Sequence, residues 1–254
     1  MRDLGWHQWV LGGLATIGSL AAVGRYDVVM HRALGTGIAQ KAAGRAGVIA
    51  IALSQTIGFG MISGALVRWR MLPELSLWRA TKLTAIVAAS FLAAWAIFTS
   101  VVVLILRPGF LPFEVPLAIV VMMLPLAMLG TLRFIKRPVW LPNLLVVGPL
   151  LLWVAVDTIL AALALYWLLP TETAISFAVL LPAFLIALGV GMISGSPAGL
   201  GAFELTLLAL LPADLMAPCL AAMLAFRLVY YALPAVIALI PLALAGRKTR
   251  KTAT

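Results

Sequence analysis

The chain has 254 residues, of which 64% are hydrophobic and only 10% charged. A soluble domain is roughly half apolar and a quarter charged, so a single water-facing fold cannot hide this much apolar surface. Apolar stretches of about 18 residues or more recur from end to end, and the strict alternation of an outer-membrane barrel is missing; the pattern predicts an all-α, polytopic membrane helix bundle.

The net charge is +10, with eighteen Lys and Arg against eight Asp and Glu. The basic residues fall in short segments between apolar stretches. That is the positive-inside pattern and not a nucleic-acid footprint, and such segments also attract anionic lipid headgroups. The single cysteine, Cys219, excludes a disulfide within the chain, and His7 and His31 lack metal-ligand spacing, so neither metal nor other cofactor is expected.

Residues 8–24 form the first predicted span. No small-residue cleavage site follows it, so it reads as a retained helix. Residues 25–45, "RYDVVMHRALGTGIAQKAAGR", carry Arg25, Arg32, Lys41 and Arg45 among apolar residues. They read as an amphipathic interfacial segment on the cytoplasmic side. Residues 46–67, "AGVIAIALSQTIGFGMISGALV", are apolar but interrupted by Ser54, Gln55, Thr56, Gly58, Gly60, Ser63 and Gly64. The following segment, 68–82, is basic again, with Arg68, Arg70, Arg79 and Lys82 against Glu74. A simple span would put two basic segments on opposite sides. A broken or re-entrant pair of half-helices resolves the conflict, since irregular backbone survives at membrane depth where protein or a cavity surrounds it. The alternative is an ordinary span whose small residues permit close helix packing.

Residues 83–106 then span outward, 107–114 form an outer loop, and 115–132 return. The loop "RFIKRPVWLPN", with Arg133, Lys136 and Arg137, is placed in the cytoplasm. Residues 143–168 span outward, "PTET" with Glu172 turns, and 174–195 return. This return ends on "GMISG", residues 191–195, a repeat of residues 60–64. "SPAGLGAFELTLLALLP" follows. Its helical part, residues 200–211, would be only about 18 Å long, too short to cross the hydrocarbon core, and is the second predicted broken or re-entrant element. Residues 215–246 form a long apolar stretch with Pro218, Pro234 and Pro241, which predict kinks. The basic tail "GRKTRKTAT" places the C-terminus in the cytoplasm. The expected organisation is one transmembrane domain, 1–246, of about 7–8 hydrophobic segments, and a tail, 247–254. Residues 47–106 and 174–246 are candidates for an inverted repeat.

Asp157, Glu204 and Arg227 lie inside apolar stretches. Intramembrane ionisable residues usually face a bundle interior or a wet cavity, so each is a functional candidate. The competing reading is a structural ion pair, Glu204 with Arg227, that fixes helix register. Asp157 needs a partner, Arg68 or Arg227, or else is neutral. In "SPAGLGAFE", Pro197 ends a helix, and Gly199 and Gly201 permit a sharp turn. The next helix then presents its free N–H groups, a place for an anion such as a lipid phosphate, with Glu204 also able to complement the helix dipole.

At these motifs the chain resembles the membrane flippase domain of the lysylphosphatidylglycerol synthase/flippase family, the multiple peptide resistance factors. "RYDVVMHRALG" (25–35) resembles the family's "YD…ALR" element, and "SQTIGFGMISGALVRWRML" (54–72) its glycine-rich element ending in paired arginines. "LLWVAVDTILAALALYWLLP" (151–170) resembles its aspartate-bearing span. "GMISGSPAGLGAFE" (191–204) resembles "P-G-G-L-G-x-F-E", and "FRLVYYALP" (226–234) resembles "R-x-x-Y-Y-x-x-P". Ala65 and Ala198 stand where the family more often has glycine, and a span expected before the "YD" element is missing. The cytosolic aminoacyl-transferase domain is not in this sequence, so no enzymatic activity is expected.

The resemblance implies translocation of aminoacylated phosphatidylglycerol, or a related lipid headgroup, in a bacterial inner membrane. It points to Arg68, Arg70, Asp157, Pro197, Gly199, Gly201, Glu204, Arg227 and Tyr230 as site residues. Arg68, Arg70 and Arg227 would attract the lipid phosphate; Asp157 and Glu204 would meet a cationic headgroup or balance the arginines. Membrane lipids are the expected partners, with no nucleic acid; a homodimer and a separate lipid-modifying enzyme are compatible with this reading. An ion- or solute-coupled transporter, or a non-transporting accessory subunit of a lipid-modifying enzyme, is the alternative.

Overall fold

The computed structural model describes residues 4–110, 113–134, 144–171, 175–212 and 215–251. The first helix, α1 (Trp6–Ala33), runs well past the first predicted span. Residues 25–33 are therefore not a separate segment but the last turns of α1. Tyr26, Asp27, Met30 and His31 recur at helical spacing, and all four are buried. The basic residues that suggested an interface sit around a turn at 34–39, after which α2 (Gln40–Ile57) heads back.

α2 stops at Gly58, whose φ of +84° favours glycine, and Phe59 follows in the left-handed region at φ 50°. The next helix, α3 (Gly60–Met71), folds back along α2, so that Gly64 faces Ser54 across the pair. α3 ends near Pro73, and Ser76 then caps α4 (Leu77–Leu106) by accepting the Arg79 N–H. The remaining elements are α5 (Glu114–Phe134), α6 (Leu144–Trp167), α7 (Phe177–Ser194), α8 (Ala202–Leu210), α9 (Met216–Phe226) and α10 (Leu233–Lys251). No strand occurs among the described residues.

Among the described residues, four helical segments are long and apolar enough to cross a membrane: Leu77–Leu106, Val146–Trp167, Phe177–Ser194 and Met216–Ala245. Helices Glu114–Met128 and Pro197–Leu210 are apolar but shorter. The long C-terminal apolar stretch contains a π-helical segment, Arg227–Ala232, between α9 and α10, and the helix continues through Pro241. The basic tail is thus helical as far as Lys251. The predicted loop around Lys136 and Arg137 and the turn at Glu172 lie outside the described residues.

α1 and α6 form the most extensive helix pair and run antiparallel. The Gln8 side-chain amide donates to the Leu169 carbonyl at 2.7 Å, Gly12 packs on Leu168, Gly18 on Leu160, and Ser19 reaches Asp157. The main core is built on this pair and on α4, α7 and α9, with Phe184, Phe203 and Phe226 in mutual ring contact. A smaller cluster joins α2 and α3 to α10 through Ile49, Leu53, Val67 and Ala235.

Gly189 of α7 lies directly beneath the Trp95 ring of α4, and Trp95 Nε1–H donates to the Leu185 carbonyl at 3.2 Å. A β-carbon at position 189 would fall inside the indole. Gly189→Ala is therefore expected to destabilise the bundle by about 1–3 kcal/mol, the usual cost of overpacking. Thermal unfolding in detergent checks this; a Gly189→Ala midpoint equal to wild type, or no recovery on adding Trp95→Phe, would contradict the packing argument.

Candidate functional site

Both breaks in the helices converge. α7 ends at Gly195 in the left-handed region, a 3₁₀ turn covers Pro197–Gly199, and α8 returns along α7. The backbones touch at the bend: a β-carbon on Gly199 would lie 3.0 Å from the Gly191 Cα. The tip of the first hairpin abuts this turn, since a β-carbon on Gly58 would lie 2.8 Å from the Pro197 ring. Phe59 and Ala198, one at each break, hold positive φ without being glycine. Such backbone costs of order 1–3 kcal/mol and tends to cluster at functional sites.

Between the two breaks lies a cavity of about 410 Å³. Gly58, Phe59 and Gly60 line it from one hairpin, and Gly195, Ser196, Ala198 and Gly199 from the other. Its wall is mostly apolar, with Asp27, Ser54, Arg68, Thr84, Asp157 and Tyr230 as the main polar groups. Phe59 and Ile193, at 75% and 73% exposure, stand on its rim and face outward.

Arg68 and Asp27 are each only 1% exposed and form an ion pair, Nη2 to Oδ2, at 2.7 Å. Arg68 Nη1 also donates to Thr84 Oγ1 at 3.4 Å. The pair ties the first hairpin to α1 and α4. Gly47 makes room for it, because a β-carbon there would collide with the Asp27 carboxylate. Arg68 Nε and Asp27 Oδ1 are buried with no hydrogen-bond partner among the described residues. Each charge thus retains capacity beside the cavity.

Asp157 meets neither arginine, which leaves the second alternative the sequence offered, a carboxyl without a cationic partner. Its carboxylate accepts from Ser19 Oγ, which in turn shares a 2.7 Å hydrogen bond with the Tyr230 hydroxyl. The π-helical segment, a feature common at functional sites, carries Tyr230 to this position; Phe226, one turn earlier, stacks on its ring with centroids 4.8 Å apart.

Glu204 and Arg227 form a second ion pair, with Arg227 Nε donating to Glu204 Oε1 at 2.6 Å. Neither lines the cavity. Glu204 Oε2 accepts the Gly201 N–H at 2.9 Å, so the free N-terminus of α8 is capped by its own carboxylate. Arg227 Nη1 also donates to the Ala198 carbonyl at 3.3 Å. The group therefore clamps the second break from behind, the structural pairing that the sequence left open. Pro197 and Gly201 shape that break without lining the cavity. Arg70 lies apart and exposed, its Nε 3.4 Å from the Leu242 carbonyl.

Of the residues singled out by sequence, the fold brings Arg68, Asp157, Gly199 and Tyr230 to the cavity and leaves Arg70, Pro197, Gly201, Glu204 and Arg227 off its wall. Asp27 and Ser19 were missed. Asp27 had a signal, a lone acid on the apolar-spaced face of "RYDVVMH"; Ser19 had none.

No family model matches the chain. An 81-residue stretch is 44% identical to an uncharacterized protein of Synechocystis sp.. The match takes in 32% of this chain and 25% of the relative, so the chain aligns with about a quarter of that protein's length.

Proposed function

We propose that this protein moves a lipid headgroup across the bilayer of a bacterial inner membrane, with the C-terminus in the cytoplasm. The observation that carries the reading is the convergence of two helix breaks on one cavity that holds a buried Arg–Asp pair and a separate buried carboxylate. In this reading the two hairpins are re-entrant, enter from opposite sides, and belong to inverted halves of a bundle of seven to eight segments. Broken helices facing one another near the midplane are the usual architecture of transport sites.

Two features favour a lipid over a free solute. The cavity wall is largely apolar, and its rim residues Phe59 and Ile193 point outward. A headgroup can then sit between the breaks while its tails stay among other lipids. Arg68, through its unpartnered Nε, meets the phosphate, since guanidinium groups are well suited to that recognition. Asp157 meets a cationic part of the headgroup, such as an aminoacyl amine on phosphatidylglycerol. Arg227 and Glu204 hold the second break in shape and do not touch the cargo.

The test is reconstitution in vesicles of mixed phosphatidylglycerol and lysyl-phosphatidylglycerol, with inner-to-outer transfer followed by amine labelling. Wild-type protein is expected to exceed protein-free vesicles clearly. Asp157→Asn is expected to lower transfer of the aminoacylated lipid at least tenfold and phosphatidylglycerol transfer far less. Wild-type protein no faster than empty vesicles would overturn the reading.

A further inference from the structure

A second cavity, of about 930 Å³, lies on the other face of α2, between α1, α2 and α10. Its floor and walls are apolar, among them Ile17, Leu20, Val48 and Ile237. Ile17 and Ile237, at 65% and 56% exposure, leave it open to the side. One end is different. Arg25, Lys41 and Arg45 line the end of the groove that lies toward the α1–α2 turn, and no acidic residue lines it. Gly24 and Gly44 explain the gathering: each backbone carbonyl lies within 3.4 Å of where the other's β-carbon would be, so α1 and α2 touch there. Lys41 and Arg45 then share one face of α2 beside Arg25 of α1. Among the described residues, none of these side chains forms an ion pair or hydrogen bond.

Three like charges drawn together without a counter-charge repel one another unless an anion joins them. The groove's length says which anion. From Arg25 to Gly13 along α1 is about 18 Å, and half of a bilayer's hydrocarbon core is about 15 Å. An apolar channel one leaflet deep, ending in cations, matches a glycerophospholipid with an anionic headgroup. Polybasic clusters at a membrane surface attract such lipids.

We infer that this groove is a binding site for one anionic phospholipid of the leaflet on the α1–α2 turn side, separate from the cavity between the helix breaks. The lipid's phosphate lies among Arg25, Lys41 and Arg45, and an acyl chain follows the groove past Leu20 and Ile17. Because the site stands on the opposite face of α2, it goes beyond the translocation reading and does not depend on it.

The experiment is native mass spectrometry of the full chain released from bilayers of equal phosphatidylglycerol and phosphatidylethanolamine. Wild type is expected to retain one phosphatidylglycerol in preference to phosphatidylethanolamine. Arg25→Gln/Lys41→Gln/Arg45→Gln is expected to reduce that preference at least tenfold, and the charge-keeping Arg25→Lys/Arg45→Lys to preserve most of it. Ile17→Trp, which fills the groove, is expected to remove the retained lipid while the charges remain. Gly60→Trp, in the other cavity, is expected to leave retention unchanged, which separates this site from transport. Wild-type preference in the triple Gln variant, or wild-type occupancy in Ile17→Trp, overturns the proposal. A dimer that Ile17→Trp dissociates with retained lipid unaltered also overturns it, because the face would then join two copies of this chain.

Discussion

Arg68→Ala is expected to destabilise the bundle by about 3–5 kcal/mol, the usual cost of removing one partner from a buried ion pair. Asp27 is 1% exposed, and its second oxygen, Oδ1, has no partner among the described residues. Without Arg68 the carboxylate would be charged, dehydrated and unpaired. The loss also releases the tie between α3 and α1, beside the cavity. Adding Asp27→Asn removes the stranded charge and is expected to recover most of the stability, since a buried pair contributes little net once both charges are gone. Thermal or denaturant unfolding in detergent, read on the two single variants and the double, measures the coupling directly. If the double variant is as unstable as the sum of the singles, the pair is not a unit. Gly47 offers an independent check, because Gly47→Ala presses a methyl group against the Asp27 carboxylate and should destabilise without touching a charge.

Gly60→Trp should abolish headgroup transfer, to less than a tenth of wild type, with stability changed by about 0.5 kcal/mol or less. Gly60 opens α3 and lines the cavity, and no atom lies within 4 Å of where its β-carbon would be. A side chain there meets no neighbour at its β-carbon, and an indole is large enough to occupy part of the cavity that this position lines. Gly60→Ala is the matched control. It leaves the cavity open and removes a flexible residue from a helix, a gain of up to about 1 kcal/mol. The two substitutions should therefore separate activity from stability: one blocks transport in an intact fold, the other stabilises with transport preserved. Transfer at wild-type rate in Gly60→Trp would mean that the cargo does not pass between the breaks.

The helix interruptions were legible because their causes are local. Gly58, Gly195, Gly199 and Gly201 take positive φ, and Pro197 removes a donor, so a helix cannot run through either segment. The short helix predicted at 200–211 is observed as Ala202–Leu210. The π-helical segment had no such mark; "RLVYYA" reads as ordinary helix, and its register shift is apparent only once Tyr230 is seen beside Ser19. Residues 25–45 misled for a related reason. Their charges flank a turn, and charge alone does not tell one separate segment from the ends of two longer helices.

By itself the sequence determined the all-α class, the apolar stretches and the two places where helices must stop. Hydropathy and backbone preference act over windows of one to about twenty residues, so a linear reading captures them. Only the tertiary structure decided which polar partner each charged side chain takes. Arg68 pairs with Asp27, 41 positions away, Arg227 with Glu204, 23 away, and Asp157 with Ser19, 138 away. Every one of these acids could have met either arginine as far as composition goes. Burial selects the pairings, because a charge without a near partner is unstable at that depth, and depth is set by how α1, α6 and the two hairpins stack. The same stacking turned one face of α2, with Ser54 and Gln55, toward the cavity between the breaks and another toward an apolar groove ending in cations.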